Sequence, residues 1–158
     1  MSSPAYATPL AEDLSPVHDD QPYADGEALG ALMTLIPKTP ISSGPRGPLF
    51  LVEELVLSIP EALTPNVDLV LFDTIPTAIA DHDAWDPTAD VEKIADVIEI
   101  RAANWKVFDS TRVAIAPALV RTFRNKTPPN LYAVFIARAA VTFTTENTLK
   151  GKISGFIN

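Results

Sequence analysis

Several places in the chain gather side chains able to do chemistry. Asp81–His82–Asp83, with Asp86 close behind, sets a histidine among carboxylates. Oxygen ligands with one imidazole suit a divalent cation. The spacing lacks the glycine and terminal glutamate of an EF-hand loop, and the segment reads as a solvated loop. Glu53–Glu54 interrupt the apolar run Leu49–Ile59. Successive strand residues face opposite sides, so one of the two is expected to pair with an arginine or face a subunit interface. A catalytic carboxylate pair is the alternative, but no partner acid, histidine or nucleophile motif accompanies it. His18, beside Asp19 and Asp20, reads as an exposed imidazole. Trp85 and Trp105 flank the short helical region, where they form a ligand-stacking platform or pack a crossing loop onto the sandwich.

The motifs that would turn these residues into an enzyme are missing. There is no G-x-S-x-G, H-E-x-x-H, Walker A or G-x-G-x-x-G sequence. With no cysteine, thiolate metal sites, cysteine nucleophiles and disulfides are excluded. The expectation is a protein with no catalytic residue, metal, cofactor or small-molecule substrate. Residues 1–22 carry neither a basic start nor an apolar run, so no signal peptide is expected there. No run of 18 apolar residues exists, so no membrane-spanning helix is expected.

What must position any site is a β domain. The 158 residues are 47% hydrophobic, enough for a packed core. Fifteen prolines against six glycines disfavour long helices. Charge is unevenly placed. Residues 1–100 hold 18 acidic and 3 basic side chains, a net of −15, whereas residues 101–158 hold 2 acidic and 9 basic, a net of +7. The total of −8 disfavours general nucleic-acid binding, and the split favours contact between unlike halves of neighbouring copies.

Strands are expected at Ala28–Ile36, Leu49–Ile59, Val67–Asp73, Val97–Arg101, Arg112–Phe123, Leu131–Ala137, Val141–Thr145 and Leu149–Ile157, with one short helical turn within Thr88–Ala95. In the second of these, Leu49, Leu51, Leu55, Leu57 and Ile59 would share a face. Residues 37–48 and Thr127–Asn130 read as turns. About eight strands with so little helix predict an all-β fold, an antiparallel β-sandwich resembling a jelly roll.

Residues 1–27 read as a separate extended acidic arm, and residues 28–158 as the sandwich domain. The arm holds four prolines, six acidic residues and no lysine or arginine. Tyr6, Leu10, Leu14, Val17 and Tyr23 are spaced along it as candidate partner contacts. On the body, Glu53, Arg138, Lys150 and Lys152 are the candidates.

Two stretches resemble a family of small virion structural proteins of tailed bacteriophages. One is Leu69–Thr77, with Phe72-Asp73-Thr74-Ile75-Pro76, followed by Ala89-Asp90-Val91-Glu92-Lys93-Ile94. The other is Leu131–Phe143, with Leu131-Tyr132 and Ala137-Arg138, closing on Leu149 and Ile153. The resemblance spans about residues 45–158. It implies a non-enzymatic particle component, most simply a capsid decoration or cement protein. Its partners would be the major capsid protein and further copies of itself, as a dimer or trimer. It would assemble in the host cytoplasm and reside on the capsid surface. A tail, baseplate or connector component is the near alternative. A carbohydrate-binding attachment module using Trp85, Trp105 and the Asp81–Asp86 loop is the more distant one.

Overall fold

A computed structural model describes residues 8–35, 49–116, 121–124 and 130–157. It contains ten strands. They are β1 (Thr8–Leu14), β2 (Ala28–Leu35), β3 (Leu49–Ile59), β4 (Val67–Phe72), β5 (Ile94–Ile100), β6 (Trp105–Phe108), β7 (Thr111–Ile115), β8 (Arg121–Arg124), β9 (Leu131–Ala137) and β10 (Lys150–Ile157). Among the described residues, helix is confined to 3-10 turns at Pro87–Ala89, Val91–Lys93 and Ala102–Asn104.

The strands form two antiparallel sheets. The first runs β1-β10-β3-β7-β6, with β8 also paired to β3; the second runs β2-β9-β4-β5. β7 pairs with residues 56–59 of β3 and β8 with residues 49–52, so together they fill one lane. Set β6 aside as an added edge, and eight lanes remain. The first sheet then holds the first, last, third and sixth lanes, and the second holds the second, seventh, fourth and fifth. That is the double Greek key of a jelly roll, so the expected sandwich is the observed fold.

The inner faces alternate into one core. Leu55, Leu57, Ile59, Ile153 and Leu14 from the first sheet meet Leu69, Leu71, Ala133 and Phe135 from the second. The second sheet is buried on its outer face too. Val70, Phe72, Tyr132, Val134 and Ile136 point away from the core and are covered by Ile79 and Trp85 of the long β4–β5 connection. This explains why all seven residues of β9 are buried, the continuous apolar run expected of a strand covered on both sides.

The extended arm is corrected over its described part. Residues 8–14 are strand β1, paired residue by residue with 151–157 of β10. Leu10 and Leu14 lie in the core, and Tyr23 is likewise buried, forming an antiparallel bridge with Val141. β1 offers only two core leucines, and pairing with a distant strand holds it where local propensity does not. Gly30, at φ +81, lets this segment pass closely. A Cβ there would lie 2.9 Å from Pro16 Cβ and 3.0 Å from the Val17 backbone.

Other boundaries shift. β6 is a strand absent from the expected set. The run Arg112–Phe123 divides into β7 and β8, with residues 117–120 outside the described residues. Val141–Thr145 contributes one bridge rather than a strand. The turns expected at 37–48 and 127–129 also lie outside the described residues.

Candidate functional site

Among the described residues, the outer face of the first sheet has no cover comparable to the second. Its register sets Asp13, Lys152, Val56 and Ile115 in one row across β1, β10, β3 and β7. The next row is Lys150, Ser58, Val113 and Lys106, ending on β6. Phe108 follows along β6, opposite Thr111. The five lanes from β1 to β6, at roughly 4.8 Å spacing, make a surface about 19 Å wide. Ile115 is 56% exposed and Phe108 62%. Among the described residues, Lys106, Lys150 and Lys152 make no ion pair. The face therefore carries an apolar stripe at the β6 edge with ammonium groups on both sides. Among the described residues, β6 has a partner on one side only, and unpaired edges are where chains join other chains.

A bulge in β3 completes this face. Ser154 pairs with Glu54 but Gly155 pairs with Val52, so Glu53 is the extra residue. Val52 and Leu55 both reach the core, while Glu53 and Glu54 both stay exposed. Both glutamates are therefore exposed in the single chain, where strict alternation expects only one to be. Strict period two also fails across the bulge. Phe50 and Val52, not Leu49 and Leu51, share the buried face with Leu55, Leu57 and Ile59.

The remaining sequence candidates scatter. Lys150 and Lys152 stand on the open face. Glu53 stands at the bulge beside it. Arg138 is committed within its own chain, 3.5 Å from Asp68 and 3.8 Å from Asp25, and Asp68 also holds Arg101 at 2.7 Å. Leu10, Leu14 and Tyr23 are unavailable to a partner because they are buried. Val17 is 71% exposed. Tyr6 lies outside the described residues. The face residues missed from sequence are Lys106, Phe108, Val113 and Ile115. Phe108 and Lys106 sit on the unforeseen strand β6. Val113 and Ile115 lie in a run whose alternation was read only for apolar content.

The Asp81–His82 cluster is a clasp between distant segments. The Tyr23 hydroxyl donates to Asp81 at 2.9 Å, and the Gly30 N–H donates to the same carboxylate at 2.7 Å. His82 adopts φ +63 and stacks on Tyr23 with centroids 4.0 Å apart. Its Nε2 lies 2.9 Å from Asp19 and its Nδ1 3.5 Å from Glu27. The hydrogen bond to Asp19 raises the His82 pKa above the ordinary histidine value, against a smaller desolvation effect. Asp19 is lowered by the same bond. Burial, with the neighbouring carboxylates, pushes the Tyr23 phenol well above its ordinary value. Asp19, Asp81 and His82 offer ligand atoms within 4.8 Å of one another, close enough to surround a cation. Those atoms already hydrogen-bond to Tyr23, Gly30 and each other, which accounts for their grouping.

His18 is buried rather than exposed, with 2% of its surface accessible. Its Nε2 accepts the Leu149 N–H at 3.1 Å, which leaves Nδ1 to donate to the Asp19 carbonyl at 3.0 Å. Those roles define the neutral Nδ1–H tautomer. Its ring lies 4.1 Å from Phe143. His18 thus ties the segment after β1 to the start of β10.

The tryptophans divide. Trp105 is a core residue whose indole N–H donates to the Pro65 carbonyl at 2.9 Å, which removes it from any ligand platform. Trp85 packs edge-to-face on Phe72 and lines a cavity of about 210 Å³ in the β4–β5 connection. No protein-family model matches the chain, and no curated protein matches it.

Proposed function

We propose that this protein is a non-enzymatic structural component of a tailed-phage virion, acting as a capsid decoration or cement protein. The observation that carries the reading is the contrast between the two sheets. The β4–β5 connection covers the outer face of one, while among the described residues the other leaves Ile115 and Phe108 exposed beside three lysines, with Val56 and Val113 half-buried. Exposed apolar groups clustered at a sheet edge are the mark of a docking surface. Jelly rolls recur in viral shells, and the sequence resemblance points the same way. Docking would seat the β6–β7 side of the first sheet on the capsid, where neighbouring major capsid subunits meet. The lysines would face acidic groups of the shell. Many copies attached at once hold a shell firmly even when each contact is weak.

The test is binding to empty shells of the major capsid protein. Ile115 and Phe108 each leave about six-tenths of their surface exposed. Burying that remainder contributes roughly 1–2 kcal/mol per residue. The double variant Phe108→Thr/Ile115→Thr is therefore expected to weaken binding roughly 30- to 800-fold. Threonine keeps the strand preference, so the unfolding midpoint should move little. Unchanged shell binding by the folded double variant would reject this docking face. A count of about a dozen copies per particle, rather than hundreds, would place the protein in the tail or connector instead.

A further inference from the structure

The cavity in the β4–β5 connection has a chemistry of its own. Its lining includes Trp85, Ile79, Thr77 and the carboxylates of Asp83, Asp86 and Asp90. Asp90 is 2% exposed and forms a buried wall. Burial raises its pKa, but the Thr77 N–H at 3.0 Å, the Thr77 hydroxyl at 3.2 Å and Lys93 at 3.0 Å more than offset that, so it is held ionised. Asp86 accepts the N–H and hydroxyl of Thr88 at 2.9 and 2.6 Å, which lowers its pKa. Asp83 accepts the Ala80 N–H at 2.7 Å. Apart from the Trp85 indole N–H, the donors named here are thus already committed, and three carboxylates face one ammonium group, that of Lys93. Anions are repelled. A neutral sugar, whose hydroxyls need both donors and acceptors, finds mainly acceptors. A cation with several N–H groups matches the lining throughout.

Trp85 adds a second observation. Its indole N–H is buried and has no hydrogen-bond acceptor among the described residues. Buried donors without acceptors are uncommon in folded proteins. An aromatic wall beside carboxylates also suits a guanidinium, which is planar, weakly hydrated and stacks on rings.

We propose that this cavity receives an arginine side chain of a protein partner. The planar head enters between Asp83 and Asp86 toward Asp90, against Trp85, with the partner's backbone at the mouth. The cavity belongs to the connection over the second sheet, whereas the docking face lies on the first, so the two surfaces can engage different neighbours.

The chain holds two tryptophans, so its amide NMR spectrum shows two indole signals, assigned by a Trp85→Phe variant. Titration of the wild-type protein with N-acetyl-arginine methylamide is expected to move the Trp85 signal saturably and leave Trp105 in place. The citrulline analogue has the same shape without the charge. It should bind at least about tenfold more weakly. Asp83→Asn/Asp86→Asn should weaken arginine binding by about tenfold too, with the Trp105 signal reporting an intact fold. Equal response to arginine and citrulline, or no response to arginine, would overturn the proposal. A response to glucose, galactose or N-acetylglucosamine but not to arginine would overturn it in favour of a glycan site. Each of these outcomes leaves shell binding through Ile115 and Phe108 to be judged separately.

Discussion

A single methyl group at Gly155 is expected to destabilise the fold severely. Gly155 lies at the bulge where β10 slips past β3. A Cβ built there collides with the Leu51 carbonyl oxygen and lies 2.9 Å from the Leu51 carbonyl carbon and 3.1 Å from Val52 Cα. All three are backbone atoms, so no rotamer change relieves the clash. Relief requires β10 to lift from β3 at the pairs Gly155–Val52 and Phe156–Leu51. Losing about two ladder hydrogen bonds at ~1 kcal/mol each and overpacking by about 1–3 kcal/mol gives roughly 3–5 kcal/mol for Gly155→Ala. With a urea m-value of about 2 kcal/mol/M, the midpoint should fall by about 1.5–2.5 M. Gly26→Ala is the control. Gly26 sits at φ +89 with open space around it, so only backbone strain of about 1 kcal/mol is expected there. Equilibrium urea unfolding of both variants reads the difference. If Gly155→Ala loses no more than Gly26→Ala, the bulge does not depend on glycine, and the explanation of the exposed Glu53–Glu54 pair fails with it.

Other outcomes follow from the clasp around His82 and from His18. The folded pKa of His82 is raised by Asp19 and then Glu27, so its contribution is full below the ordinary histidine value and is lost as pH rises through the folded one. Asp19 is lowered, so its contribution is present above the ordinary carboxylate value and is lost as pH falls through its folded pKa. The pair is therefore strongest in mildly acidic solution. Between pH 6 and 8.5 the wild-type unfolding midpoint should fall further than that of His82→Asn, a residue that tolerates the positive φ; parallel curves would refute the clasp. His18→Ala leaves the Leu149 N–H without its acceptor and opens a void beside Phe143. The expected loss is about 2–4 kcal/mol by urea unfolding, and a change under about 0.5 kcal/mol would show that residue 18 is not a tie.

The sandwich was legible in the sequence because most strands have alternating or continuous apolar runs. β3 and β9 match their expected limits at Leu49–Ile59 and Leu131–Ala137. β1 was illegible because its strand character comes from β10. Pro9, Glu12 and Asp13 speak against it locally, and only the spacing of Leu10 and Leu14 hints at one buried face. β6 was hidden by its brevity, with four residues and a single buried one, Trp105. The docking face could be read only in part. Lys150 and Lys152 alternate visibly with Gly151 and Ile153. That they share rows with Val56, Ile115, Val113 and Lys106 depends on register across four strands, which no single stretch encodes. His18 was misjudged because its partner, Leu149, is distant in sequence, and the ion pairs of Arg138 with Asp68 and Asp25 could not be specified for the same reason.

The most direct measurement is a cryo-EM reconstruction of the particle with this protein bound. The proposed function predicts many copies on the outer shell, with Phe108, Val113 and Ile115 against the major capsid protein and Lys106, Lys150 and Lys152 near acidic residues of the shell. A reconstruction that leaves this face toward solvent and seats the protein by another surface would contradict it.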